Sequence, residues 1–365
     1  MIHENERISR RQYLSICFLA LLSPVIRQLP RVAPRLAGSA AWLSGLASLP
    51  ILLLYARIIR RLHLRRAEGE GMGEVFLRVY GKGVGSAVLS LYALWMLCYS
   101  GFVIAASADR LLTTAYPLGG KYMFIFVMGA LGLLAVLSRL RTLARSANLL
   151  RPVLLATLLA VIGISLFDAD LSALLPVTGS DLVPVLQSGA VVSNVLSLIL
   201  SFSFLENRVT VEDSRARSKR VMRLFCVMSL LITLMLAAVL ANFGPEFTAR
   251  QAHPFFAMTR NIKLFGSFER IEALVISMWV LTDFVMIAAM LQCALTILRL
   301  VLRRESRVAL PLLCVAVAVG FALLTEHNSF QLAWLADRVF PLSAACIGFG
   351  LFPLTLLVGL LRKKI

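Results

Sequence analysis

The sequence predicts an all-α integral membrane protein of ten transmembrane helices, arranged as two sets of five with opposite orientation. Three observations carry that prediction: the composition, the length of the apolar runs and the placement of the basic residues. The chain of 365 residues is 59% hydrophobic and 15% charged, with a mean hydropathy of +0.85, whereas an ordinary soluble domain is about 45–50% apolar. A soluble globule is excluded. The apolar residues fall in runs of about 20, the length that crosses a hydrocarbon core roughly 30 Å thick as helix. Continuous runs such as Val153 to Leu166 also exclude a transmembrane β-barrel, whose strands alternate in polarity over about ten residues.

Charged and Pro/Gly-rich breaks divide the chain into spans at 13 to 36, 40 to 59, 84 to 112, 121 to 137, 150 to 167, 184 to 206, 221 to 243, 269 to 298, 308 to 325 and 336 to 361. An even number puts both termini on one side. On that side fall the termini and the segments 57 to 82, 139 to 151, 206 to 223 and 299 to 307, which together hold 27 of the 37 Lys and Arg residues. Positive charge is retained in the cytoplasm, so both termini are expected there. Asp168, Asp170 and Asp181, between the fifth and sixth spans, have no basic residue near them and agree with an outer placement. The same pattern explains the net charge of +18 without a nucleic-acid partner. The charged segment Glu4 to Arg11 leads straight into the first span, which is expected to remain as an anchor.

Chemistry beyond the membrane is sparse. The six cysteines lie inside hydrophobic runs with no CxxC pair, which fits buried apolar side chains better than a disulfide framework or a zinc site. The four histidines are scattered without an HExxH motif, and Gly81 to Gly85 lacks the spacing of a P-loop. No metal, cofactor or catalytic constellation is expected.

Two spans differ from the rest. The first carries Ser23-Pro24-Val25 and Pro30 with Arg27 at membrane depth, where a continuous helix would lose backbone hydrogen bonds that lipid cannot replace. A break near Ser23 is expected, its free N–H and C=O groups facing a zwitterionic ligand; a simple proline kink is the alternative. The sixth span carries Ser201-Phe202-Ser203, whose hydroxyls can bond freed carbonyls, with Glu206 one turn on. Spans one and six correspond if ten helices are two sets of five. Five is odd, so the sets are inverted, the plan of secondary transporters that bind substrate near the midplane between broken helices.

Further candidates lie on shared helix faces. Asn194, Ser197 and Ser201 follow Ala190 on one face of span six, lining a polar cavity or gluing helices together. Glu206 is a candidate for proton or ion sensing, or an interfacial glutamate paired with Arg208 or the run Arg215 to Arg223. Span eight puts Glu272, Trp279 and Asp283 on one face, with Asp283 either meeting a ligand amine or pairing with Arg27 or Arg31. Glu269, Arg270 and Glu272 form a charge cluster at the outer surface, either a structural latch for the preceding segment with Pro245, Pro254 and Phe255-Phe256 or a ligand contact. Tyr99, with Tyr92 and Phe102 on span three, serves packing or the pocket.

Several of these residues also form sequence blocks: Ile8-Ser9-Arg10-Arg11-Gln12, Gln28-Leu29-Pro30-Arg31 with Ala41-Trp42-Leu43, Leu175-Pro176-Val177, Ser201-Phe202 with Glu206, and Phe268-Glu269-Arg270-Ile271-Glu272-Ala273 with Trp279. In these the chain resembles the endospore germination permeases, the GerAB-like B subunits of GerA-type nutrient germinant receptors in the amino acid/polyamine/organocation transporter superfamily. The resemblance covers nearly the whole chain and is most specific in the last block. It implies a LeuT-like 5+5 inverted-repeat fold with helices one and six broken, divided at 1–178 and 179–365. It also implies an amino-acid-like germinant, an A-type membrane subunit and a C-type lipoprotein as partners, and the spore inner membrane as location. A cation-coupled amino acid permease is the alternative function. Leu22-Ser23-Pro24-Val25 carries none of the glycines such permeases usually have where the first helix unwinds.

Overall fold

The computed structural model describes residues 7–66, 70–167, 169–210, 214–261, 271–326 and 329–364. Helix α1, Arg10–Ala37, starts at Ser9, whose hydroxyl accepts from the Gln12 amide while the Gln12 side chain accepts from the Ser9 amide. A 3₁₀ turn, Gly38–Leu43, leads into α2, Ser44–Leu64, and a short α3, Met72–Tyr80, precedes the long α4, Lys82–Thr114. Helices α5, Lys121–Leu137, and α6, Leu140–Ser165, complete the first half. In the second half α7, Leu182–Ser197, tightens into a 3₁₀ stretch, Leu198–Arg208. Helix α8, Ser214–Arg250, turns at Gly244, whose φ of 70° suits glycine alone, and α9, Pro254–Asn261, follows. Then come α10, Ile271–Leu302, α11, Ala309–Thr325, and a last span of α12, Ser329–Trp334, α13, Phe340–Ala345, and α14, Phe352–Leu361, joined by two π turns.

Seven stretches of the described residues are long and apolar enough to cross a membrane. One of them, Arg10–Leu64, holds both α1 and α2, and α5 and α11 are shorter apolar helices, so ten segments span in all. Segment 57 to 82 is no simple loop, because α3 buries Met72, Val75, Phe76 and Val79 against α4 and α14.

The first helix corrects the sequence expectation. Helix α1 is continuous through Pro24, Pro30 and Pro34, with no break at Ser23. An interior proline removes one backbone bond at a cost of about 3 kcal/mol or more. Every residue from Tyr13 to Ile26 is buried, however, and α6, α7, α8 and α10 pack around the helix and hold it closed. The missing glycines fit this outcome, since β-carbons from Leu22 to Val25 disfavour an unwound backbone. Span six does change course, by tightening rather than opening: Ser197 donates to the Asn194 carbonyl at 2.7 Å and Ser203 to that of Leu200 at 2.6 Å.

The helices pack crosswise. Helix α1 contacts α7, α2 contacts α8 and α4 contacts α10, while α1 packs on α8 as α2 packs on α7. Two inverted sets of five spans related by a pseudo-twofold axis give this pattern. Small residues allow close approach: a β-carbon on Gly101 of α4 would collide with the Ala318 carbonyl oxygen of α11. Buried hydroxyls cross-link helices, with Ser44 donating to Ser188 at 2.7 Å. Around the perimeter Leu91, Phe126, Val153, Leu324 and Leu342 are exposed, an apolar surface suited to lipid.

Candidate functional site

Asp283 of α10 is fully buried and joins three helices. Its Oδ1 accepts from the Ser23 hydroxyl of α1 at 2.5 Å, and its Oδ2 is ion-paired with the buried Arg110 of α4. Trp279, one turn earlier on the same face of α10, carries the Arg110 guanidinium 4.8 Å above its ring. A buried charge requires a partner with good geometry, and here each oxygen of the carboxylate has one. Arg110 answers the question left open for Asp283: the partner is neither Arg27 nor Arg31. Arg31 is ion-paired with Asp337.

A cavity of about 480 Å³ lies beside this cluster, lined by Arg27, Phe102, Asp109, Gln251, His253 and Phe256 among others. The Arg27 guanidinium rests 4.8 Å above the Phe102 ring, near Tyr99, and its buried Nη1 has no hydrogen-bond partner among the described residues. Tyr99 is fixed by Trp95 at 5.4 Å and Phe340 at 5.2 Å between ring centroids. Trp279 packs behind the lining, 5.2 Å from Phe256 of α9 and 6.0 Å from His253. Burial, reinforced by the charges of Arg110, Arg31 and Arg27, holds the His253 pKa down to about 3, so its imidazole is neutral at physiological pH. The lining thus presents the cations Arg27, Arg31 and Arg260, the carboxylate of Asp109 and the aromatic rings of Phe102 and Phe256, a setting for a small zwitterionic molecule. At the rim Arg260 meets Glu272 at 3.5 Å, both substantially exposed.

Of the sequence-predicted site residues, Ser23, Tyr99, Trp279 and Asp283 come together here. Pro24 and Val25 are buried in α1 beside Ser23, without the free helix ends expected of them. The span-six residues serve contacts between helices. Asn194 donates to the Pro341 carbonyl at 2.7 Å, Ser197 abuts Gly348, and Ser201 bonds Tyr92 at 2.9 Å. Phe202 is fully buried, and Ser203 lines a different cavity of about 200 Å³ with Glu206 and His63. Glu206 is not alone: Arg66 lies at 3.1 Å, His63 at 3.2 Å, Arg10 at 3.3 Å and Arg217 at 3.9 Å. Glu269 and Arg270 lie outside the described residues.

Residues 7–330 match the family described as spore germination protein. The chain belongs to that family. Among solved structures this spore germination protein is similar to Mhp1, a nucleobase-cation-symport-1 family transporter, in a closed conformation with bromovinylhydantoin bound. The TM-score is 0.71 at 15% identity, covering 99% of this chain and 80% of that one. An inward-facing conformation of Mhp1 gives a TM-score of 0.66 at 15% identity, covering 99% and 78%. No curated protein matches. At that identity the likeness speaks for the fold: a multi-pass, LeuT-like transporter fold in a family of permease type.

Proposed function

We propose that this protein is the permease-like subunit of a nutrient germinant receptor and that it binds an amino-acid-like germinant in the cavity above the Asp283–Arg110 pair. The observation that carries the proposal is Arg27, which lines the cavity and whose buried Nη1 has no hydrogen-bond partner among the described residues and is free to donate to a ligand carboxylate. Ser23 and Asp283 hold Arg110 and Trp279 in place beneath it, and the neutral His253 adds a polar contact. Glu206, at the other end, couples occupancy to the receptor's other members, an A-type membrane subunit and a C-type lipoprotein. In this reading both termini are cytoplasmic, the membrane is the spore inner membrane, and the repeats divide at 1–178 and 179–365.

A cation-coupled amino acid permease is the second reading, favoured by the likeness to a symport-family transporter solved both closed and inward-facing. Uptake of radiolabelled amino acids by proteoliposomes separates the two. The receptor reading predicts saturable binding without sustained accumulation. Ion-driven accumulation would replace it with the permease reading. Cysteine labelling from outside should reach a probe at Asp181 and not one at Lys219; the reverse would overturn the topology.

A further inference from the structure

We propose that the Arg110 guanidinium fills a cation site: with it in place the Asp283 carboxylate takes no metal ion from solution, and with Arg110 shortened the same oxygens bind sodium. Those oxygens are of the kind a hard cation uses. Asp283 of α10 supplies two from its carboxylate, and Ser23 of α1 supplies a hydroxyl. Pro24 has no N–H, so the carbonyl of Ala20, a fully buried residue three positions before Ser23, loses its helical donor.

Arg110 stands where the ion would. It lies four residues before the end of α4, where a long charged side chain can turn to water, yet it is only 3% exposed and is held between the Asp283 carboxylate and the Trp279 ring. The pair is neutral, and Arg27 is near enough to repel Arg110. A metal ion entering beside them would be repelled by two guanidinium groups and attracted by one carboxylate that is already paired. Charge therefore closes the site. Shortening Arg110 leaves a buried carboxylate whose desolvation nothing offsets, and the oxygens around it then favour a small cation. One consequence rests on the reading of the cavity given above: an amino acid bound beside the pair binds without sodium.

The test is thermal unfolding of the purified full chain in detergent, at fixed pH and equal ionic strength, in sodium chloride or choline chloride. The wild type should unfold at the same temperature in both salts. Arg110→Ser, which makes room and adds a hydroxyl oxygen, should be less stable than the wild type in choline and regain several degrees in sodium, saturably. Arg110→Ser with Asp283→Asn should lose that response. A wild-type Tm that depends on sodium would overturn the proposal. So would a folded Arg110→Ser indifferent to sodium, its carboxylate having taken a proton instead. For any amino acid that shifts the wild-type Tm, the shift should be equal in the two salts, and a shift seen only in sodium would also overturn the proposal. No shift in either salt would refute the ligand reading and leave the sodium response of Arg110→Ser as the test. The wild-type comparison of salts stands even if Arg110→Ser fails to fold.

Discussion

Asp283 and Glu206 are both buried carboxylates in helical spans, and they are held in opposite ways. Asp283 has one cation, Arg110, and one hydroxyl, Ser23, with no charge left over. Glu206 has four basic neighbours and sits where the N-terminal segment is fastened: the Ile8 amide donates to the Arg208 carbonyl at 2.9 Å, and the Thr210 amide to that of Ile8 at 3.0 Å. A balanced pair deep in the membrane makes each partner indispensable to the other, since desolvation is offset only by their mutual attraction. A surplus of cations tolerates the loss of any single one. The first arrangement suits a site beside a cavity, and the second suits a clasp that ties α1, α2, span six and α8 together.

The sharpest test of this contrast is to break the balanced pair. Arg110→Ala leaves Asp283 without its cation and should destabilise the protein by about 3–5 kcal/mol, seen as a lowered unfolding temperature in detergent. Arg110→Met combined with Asp283→Leu should recover most of that loss. A double variant as unstable as the single one would show that the pair is not a closed unit. Glu206→Ala removes the one carboxylate among the described residues that the buried Arg10 and Arg66 share and should cost a similar amount, about 3–5 kcal/mol. Loss of any one of Arg10, Arg66 and Arg217 alone should cost less.

His253 supplies a pH test at the cavity. Its pKa is near 3 in the folded protein against an ordinary 6.5, so the unfolded chain binds the extra proton between those values. Its contribution to stability is complete above about pH 6.5 and declines as pH falls toward 3. His253→Phe should remove that part of the slope; an unchanged slope would show that the ring is not buried among cations. The smallest effect belongs to the rim. Arg260→Ala breaks an exposed pair with Glu272 and should change stability by at most about 1 kcal/mol. A larger loss would mean that the segment over the cavity depends on that contact.

Much of this was legible in the sequence, for identifiable reasons. Ten apolar runs are long, and each one predicts a span without reference to its neighbours. Trp279 and Asp283 were found because helical spacing alone puts them on one face. Arg110 was missed because Asp109-Arg110 resembles the polar end of a span. The signal was nonetheless present: Arg110 lies eleven residues after Tyr99 and eighteen after Tyr92, on the same helical face. The prolines of α1 misled because local propensity favours a break there, while tertiary packing on every side keeps the helix whole. Of the groups around Glu206, Arg217 fell within the expected run Arg215 to Arg223, whereas Arg10, His63 and Arg66 come from the start of α1 and the end of α2, a convergence that no local pattern records.

The central claim is that Arg27 reads the ligand's anionic group in the cavity beside Asp283 and Arg110. Thermal unfolding of the purified wild type and of Arg27→Gln, each in the presence of a panel of natural amino acids, tests it most directly. Binding stabilises by about 2.7 kcal/mol at a hundredfold excess over Kd, so a true ligand should raise the wild-type Tm by several degrees. Arg27→Gln should unfold within a few degrees of the wild type without ligand and lose most of the ligand-induced shift. A full shift retained by Arg27→Gln would contradict it and move the site elsewhere in the protein.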